Sequence, residues 1–522
     1  MIPPAPQRHH DLSSLGWFSG DGHQHLAPTP SPAEARTRVI TWCAEQRMQW
    51  LYVCQPWLTQ DVWMQTDELP AFPSAHKAGF NAWLGAELPK TRYGHTWWIN
   101  LKRFVRPFRA YMDTRMEDFY VDPTAADHSA YPYQSVPMYH AWAEYLAQGA
   151  VPVHPHPTSW WTANNGSTFV TNISSLLPFY ALAGLQPIVM VVLGYDADHI
   201  FYQSLWFHLL NHGFRITAAA ESDGSITDAR PRFLLGSFRT FAWVDPAEEF
   251  SSDALARAVA AGRTIASSGP FIHANISGNP GYSGPGTVMP ADGAAHSLAL
   301  NVLAAPLPDE HISHVLIYRN GVVFHHADLR AQRPRRWQAT IPISERDDAW
   351  YVIKCYGAKG PASDDALDVM AFAERCANTG ETPYAGDGQV ALTSPFYFRR
   401  DPSQPDPQPL FCNATVRFTN AAPTRVSIIQ ADGHINQQEL SNANDINCRL
   451  RLTDHLRLEF ASGATVEKAI LTDHPDVAAA IEHLYRGAWR ATYPQAQPGQ
   501  VPWSAFAFER LATAARAILW TI

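Results

Sequence analysis

Two imidazoles one residue apart, His23 and His25 in GDGHQHL, follow directly on the apolar run LGWFS. Side chains alternate along an extended strand, so an H-x-H pair projects to one side and can grip a single ion. A lone H-x-H in a long chain is as often two polar residues beside a turn, so the pair needs partners. Candidates stand further on: Glu87 and His95 in GAELPKTRYGH, His154 and His156 in VPVHPHP, and Asp223 in AAAESDG. Neutral imidazoles with carboxylates suit Zn, Mn or Fe, and the chemistry such a set performs is the activation of water by bound cations. The six cysteines are scattered without a C-x-x-C, so neither a zinc ribbon nor a disulfide framework is expected. No G-x-S-x-G elbow offers a serine nucleophile instead.

These residues must be positioned by something. From residue 17 to about 223, short apolar runs alternate with helix-like stretches, the pattern of a β/α layer or barrel protein. Seven runs read as strands: WFSGDGHQH, WLYVCQ, AWLGAEL, TWWINLKR, AVPVHPH, PIVMVVLGY and RITAAAES. Between them, SPAEARTRVITWCAEQRM has Ser31 as an N-cap and Pro32 in the first turn, and MYHAWAEYLAQG ends on a glycine suited to a C-cap. Ligands in parallel α/β folds gather at the carboxyl ends of strands. By that rule the first strand delivers His23 and His25, the third Glu87, the fifth His154 and His156, and the seventh Asp223. His95 lies in the connection entering the fourth.

The texture then changes. GSFRTFAWVD reads as a further strand, and SSDALARAVAAGRTIASSGPFI as a helix running into a Gly-Pro turn. From about 275 to 400 alternation dominates (HSLALNVLA, HVLIYRNGVVFHH, RWQATIPI, AWYVIKCYG), with a hairpin signal at Asn320 and Gly321, which predicts a small β-sandwich. A Pro-rich linker, DPSQPDPQPL, covers 401 to 410. Residues 411 to 522 begin with β-like runs and finish with helical ones, PDVAAAIEHLYRGAW and AFERLATAARAILW, whose apolar face fits either a homodimer contact or a lid.

Composition narrows the function. At 522 residues the chain should hold two to four domains, and 46% hydrophobic with 17% charged residues describes a folded chain. A formal net charge of -9 with no long basic run argues against nucleic acid as a partner. The start, MIPPAPQRHHDLSS, lacks a secretory pattern, and no apolar run approaches about 20 residues, so a cytoplasmic protein without a membrane partner is expected. The 23 His and 18 Trp exceed ordinary usage, fitting ligands and flat pocket walls.

The set GDGHQH, GAELPKTRYGH, VPVHPHP and LLNHGFRITAAAESDG, followed by AVAAGRTIASSGP, resembles the PHP (polymerase and histidinol phosphatase) superfamily, and within it the CehA/McbA-type metallohydrolases. The resemblance runs from about residue 17 to 400. It implies an α/β fold: a distorted seven-stranded (β/α) barrel of PHP type over 1 to 270 followed by a β-sandwich over 271 to 400; the runs after the linker, which the resemblance does not cover, predict a C-terminal α+β extension over 411 to 522. The resemblance further implies two divalent metal ions (Zn, Mn or Fe), the first held by His23, His25, Glu87 and Asp223, the second by bridging Glu87 with His95 and His154. His156 is a rival for His154. Two departures, Cys54-Gln55-Pro56 where the family carries Thr-Asp-His and Ser225 where it carries histidine, both fall on a third metal position. A binuclear hydrolase is therefore expected.

The expected reaction is attack of a hydroxide held between two cations on a carbamate, amide or ester bond, with Asp223 moving the proton and His156 as a further catalytic candidate. Arg92, Tyr93, Trp97 and Trp160 are the candidate contacts to a small aromatic substrate, and alternation sends Trp97 and Trp98 to opposite faces, so that one of them is core. Two alternatives remain beside this reading: a metal-dependent phosphoesterase, and a catalytically degenerate PHP-like binding protein.

Overall fold

The computed structural model describes residues 7–24, 39, 41–54, 81–85, 87–91, 94–102, 145–157, 159–162, 168–171, 177–194, 198–224, 234–379, 385–386, 388–403, 410–430, 434–439, 444–477, 479–480 and 511–522. The site half is built from β1 (Trp17–Gln24), β2 (Trp50–Cys54), β3 (Asn81–Gly85), β4 (Glu87–Thr91), β5 (Gly94–Ile99) and β6 (Val151–His154). A small pair, β7 (Ser159–Thr162) and β8 (Thr168–Thr171), precedes β9 (Ile188–Gly194) and β10 (Ile216–Glu221). Then come β11 (Arg239–Trp243), β12 (Thr264–Ser267), β13 (Phe271–Ile276), β14 (Val288–Pro290), β15 (His296–Leu303), β16 (His314–Arg319), β17 (Val322–Asp328), β18 (Arg336–Ile343), β19 (Ala349–Tyr356), β20 (Val390–Thr393) and β21 (Phe396–Arg399). The last part carries β22 (Phe411–Arg417), β23 (Arg425–Ile429), β24 (Ile435–Glu439), β25 (Asp445–Arg451), β26 (His455–Glu459), β27 (Thr465–Ala469) and β28 (Ala517–Thr521).

Among the described residues these strands do not close into the expected (β/α) barrel. An 11-stranded sheet runs β14-β21-β19-β20-β12-β11-β1-β2-β3, with β16 and β17 attached to β19, while β10-β9-β6-β5-β4 form a separate five-stranded sheet. Two physical causes separate the sheets. The connection between β4 and β5 is two residues long, and such a connection turns the chain into an antiparallel hairpin, so β4, β5 and β6 run antiparallel in sequence. At the other edge, side-chain hydroxyls occupy the backbone groups of β10 that a neighbouring strand would take. Ala218 N–H donates to Ser394 Oγ at 2.9 Å and Ala218 C=O accepts from Thr264 Oγ1 at 2.7 Å. Ala220 N–H donates to Thr240 Oγ1 at 2.8 Å, and that hydroxyl donates to Ala220 C=O at 3.0 Å. These buried backbone groups are satisfied without a ladder.

The two sheets share an aromatic and aliphatic core that includes Trp50, Tyr52, Trp97, Val153, Val191 and Ala219. The helix Ser252–Ala260, whose first turn is capped by Ser251 Oγ accepting from Ala254 N–H at 3.1 Å, packs against it with Leu255 and Val259 buried. The glycines of GDGHQH are explained here: a Cβ on Gly20 would fall on Trp50 and one on Gly22 on the six-membered ring of Trp97.

Downstream, β13-β15-β18 form one sheet of the sandwich and the larger sheet supplies the other face, with Phe271, Leu298, Val302, Val315, Ile353 and Phe398 between them. Asn320 and Gly321 both have positive φ (50° and 85°), the two-residue turn that joins β16 to β17. The C-terminal part is two sheets, β25-β22-β28 and β24-β23-β26-β27. The run AILWT, expected as helix, is instead strand β28, laid parallel to β22 with Ile518 and Trp520 beside Ala414 and Val416. Its β-branched and aromatic side chains suit a half-buried ladder better than a short exposed helix. No helix among the described residues is long and apolar enough to cross a membrane.

Candidate metal centre

Strands β6, β9 and β10 are mutually parallel, as are β1 and β2, so the carboxyl ends of β1, β6 and β10 come together. Gln24, the last residue of β1, makes an isolated parallel bridge to Gly224 and joins the two sheets at that point. There His23, His156 and Asp223 converge: one ligand atom from each lies within 4.8 Å of the others. His23 Nε2 stands 3.3 Å from Asp223 Oδ1 and His156 Nε2 3.6 Å from Asp223 Oδ2. The two imidazoles stack, with centroids 5.5 Å apart. Both histidines are buried, and Asp223 keeps 15% of its side chain exposed.

His23 faces a second carboxylate. Its Nδ1 lies 3.2 Å from Glu221 Oε1, and the other oxygen of Glu221 accepts from Trp97 Nε1–H at 2.7 Å. Glu221 is fully buried. A carboxylate that accepts from the far nitrogen of a metal-bound histidine fixes the ring and its tautomer, and Glu221 is the carboxylate placed nearest to that nitrogen.

Beneath these three side chains lies Asp21, whose carboxylate accepts from the Ser222 hydroxyl, from Gln24 Nε2 at 2.8 Å and from Gly236 N–H at 3.0 Å. Burial pushes its carboxyl up to about 7 against the pull of those hydrogen bonds. Burial likewise pushes His154 down to about 3, which keeps that imidazole neutral.

The structure brings together some of the residues singled out in the sequence and not others. His23, His156 and Asp223 meet. His154, the final residue of β6, lies outside that cluster and sits 6.1 Å from the ring of Tyr180. Of the rivals, His156 is the one beside His23, because the chain leaves the strand at His154 and alternation no longer applies beyond it. Trp97 and Trp98 are both buried core, and Trp97 reaches the centre through its indole N–H to Glu221. Glu87, His95 and Trp160 belong to β4, β5 and β7, and their side chains lie outside what is described. His25, Arg92 and Tyr93 lie outside the described residues.

Glu221, Asp21 and Gln24 are the participants that sequence reasoning missed. A signal for one of them was present: Asp21 and His23 share strand parity within β1, whereas Asp223 lies past the end of β10 at a φ of 45°, where alternation no longer relates it to Glu221.

No family model and no curated protein matches the chain. Among the solved structures that overlap parts of it are two of low identity. One is a CARDB domain from Pyrococcus furiosus, 11% identical over 25% of this chain and 97% of that one, with a TM-score of 0.14. The other is a bacterial adhesin from Mobiluncus mulieris containing intramolecular disulfide, isopeptide and ester bond cross-links, 8% identical over 36% of this chain and 80% of that one, with a TM-score of 0.12. Overlaps of this kind carry neither fold nor function to the chain.

Proposed function

We propose that the chain is a metal-dependent hydrolase that holds a divalent cation among His23, His156 and Asp223 and cleaves a carbamate, amide or ester bond of a small aromatic molecule. One observation carries the reading: His23 has a carboxylate at each ring nitrogen, 3.2 Å and 3.3 Å away. A neutral imidazole owns one N–H. If Nδ1 donates toward Glu221, then Nε2 turns a lone pair on a carboxylate oxygen inside a buried site, and His156 Nε2 approaches the second oxygen in the same way. A cation between the three satisfies all of them. Two histidines and one carboxylate are also the three-ligand set that leaves a coordination position open for a reactant.

A bound cation would supply Lewis acidity, drawing a nucleophile from water at a pH near roughly 7 and polarising the scissile carbonyl. The protein's own groups do the rest. Glu221 and Trp97 hold the His23 ring, and Asp223, the member of the cluster that reaches solvent, takes the released proton and passes it toward the leaving group. The resemblance of GDGHQH, GAELPKTRYGH, VPVHPHP and AAAESDG to PHP-type hydrolases supports the same reaction class.

The test is elemental analysis of the purified protein beside His23→Ala and Asp223→Ala. At least one equivalent of metal in the parent, lost in both variants, is expected; two equivalents would extend the centre to Glu87 and His95. Near-zero metal in all three sinks the reading. Turnover of aryl carbamates or anilides, and not aryl phosphates, is expected for the substrate class.

A further inference from the structure

Asp21 stands between the two glycines of GDGHQH, yet the ligand set makes no use of it. It is fully buried, and its carboxylate ties three segments together. From the end of β1 it accepts His23 N–H at 3.2 Å and Gln24 Nε2 at 2.8 Å; from the segment after β10 it accepts the Ser222 hydroxyl; from the turn before β11 it accepts Gly236 N–H at 3.0 Å. Gln24 doubles the tie, since its Nε2 also donates to the His23 carbonyl and to Ser222 Oγ, each at 2.7 Å. The nearby buried cation, Arg239, donates to the carbonyls of Gly236 (3.1 Å) and Gln46 (2.9 Å) and fixes the turn from which Gly236 reaches Asp21.

The neighbour that needs such holding is Asp223, whose φ of 45° places a non-glycine residue in the left-handed region. That conformation is sparsely populated by non-glycine residues and persists where surrounding contacts over-determine it. Ser222, one residue before, is held to the end of β1 by its hydroxyl and by its N–H, 3.4 Å from Asp21 Oδ1.

We propose that Asp21 is a positioning residue for the cation site: acting through Ser222 and Gln24, it sets the separation of His23 from Asp223 and holds Asp223 left-handed. It touches neither cation nor substrate. The proposal rests on the reading of His23, His156 and Asp223 as ligands.

Zinc titration of the metal-stripped full-length protein tests it in the parent, Ser222→Ala, Asp21→Asn and the double variant. Each single change is expected to weaken zinc binding about 10- to 100-fold, the range for groups that orient ligands. The double variant should be no weaker than Asp21→Asn, since the two act as one unit. The visible bands of the cobalt(II)-substituted protein, which report ligand geometry, should shift in both singles while far-ultraviolet circular dichroism stays parental. If Asp21→Asn does not fold, Ser222→Ala, which removes a single hydroxyl, carries the test. Parental zinc affinity in Ser222→Ala, or losses that multiply in the double variant, overturn the proposal. A parent that takes up neither metal overturns the ligand reading instead. Crystal structures of parent and Ser222→Ala then decide the clamp: it stands if Asp223 leaves positive φ and the 3.3 Å gap opens, and falls if neither changes.

Discussion

In the β13-β15-β18 sheet of the sandwich, strands satisfy one another; around the candidate metal centre, side chains finish what the strands leave undone. β13 with β15, and β15 with β18, pair without a break from His296 against Ile343 to Leu303 against Arg336. In the site half the register slips between Asp21 and Gln24, between Ala219 and Ala220, and between Glu87 and Lys90. Each slip lies within or beside a strand end that carries a candidate ligand. An irregular strand frees backbone groups and re-aims side chains, which a regular ladder does not allow. Buried polar groups in this half are answered by hydroxyls, carboxylates and amides: Thr240, Thr264 and Ser394 along the free edge of β10, Asp21 and Gln24 below the candidate ligands. Tolerance to substitution should differ sharply between the two regions.

Glycine replacements give the largest contrast. Gly22→Ala sets a methyl group on the Trp97 ring inside the shared core, whereas Gly281 in the sandwich has nothing within 4 Å of its Cβ position. Overpacking of this kind costs about 3 kcal/mol, and displacing Trp97 also removes the N–H that holds Glu221. Urea denaturation should show an unfolding free energy lowered by that amount for Gly22→Ala and within about 0.5 kcal/mol of the parent for Gly281→Ala. Equal losses at both positions would erase the distinction.

Acid should act on the site half next. His199, which precedes the helix Ile200–Asn211 and stacks on Tyr202 at 4.1 Å, is pushed down to about 3 by burial. Its unfolded value is about 6.5. The unfolded chain therefore binds the extra proton first as pH falls, so the stability this group contributes is complete above about 6.5 and drains away toward 3. By pH 4 the loss amounts to about 3 kcal/mol. His199→Phe keeps the ring and removes the titration, so its stability between pH 6.5 and 4 should fall less steeply than the parent's by that amount. Identical slopes would mean that His199 stays solvated.

These contrasts also show how far the sequence could be read. The strand runs from WFSGDGHQH to RITAAAES each contain a strand, because apolar periodicity reports which residues are buried. Pairing is a different matter. The two-residue gap between Thr91 and Gly94 was visible in the chain and reversed the direction of β5, and Thr240, Thr264 and Ser394 gave no periodic sign that they would cap β10. The strand-end rule located His23 and Asp223 because both stand at or just beyond the carboxyl end of a strand in a parallel ladder. It could not separate His154 from His156, since Pro155 breaks the alternation on which the choice depended. Asp21 and Glu221 were passed over for a related reason: the hydrogen bonds that define their roles come from residues some 200 positions away or from another strand, as with Ser222 to Asp21 and Trp97 to Glu221.

The hydroxyl seam provides the finest discrimination. Thr264 Oγ1 donates to the Ala218 carbonyl at 2.7 Å and lies 2.7 Å from Ser394 Oγ, which in turn accepts Ala218 N–H. Thr264→Val preserves shape and leaves that buried carbonyl without its donor, a loss of about 1–3 kcal/mol. Thr340 in β18 is exposed and paired by backbone to Ala299, so Thr340→Val should change stability by less than about 0.5 kcal/mol. Because β10 leads into Glu221 and Asp223, the Thr264 variant should also release metal more readily than the parent at equal chelator concentration, and the Thr340 variant should not. A Thr264→Val protein as stable as the parent would mean that water replaces the hydroxyl at the seam; the two sheets would then be joined by packing across their common core and by the Gln24–Gly224 bridge, with the seam contributing shape alone.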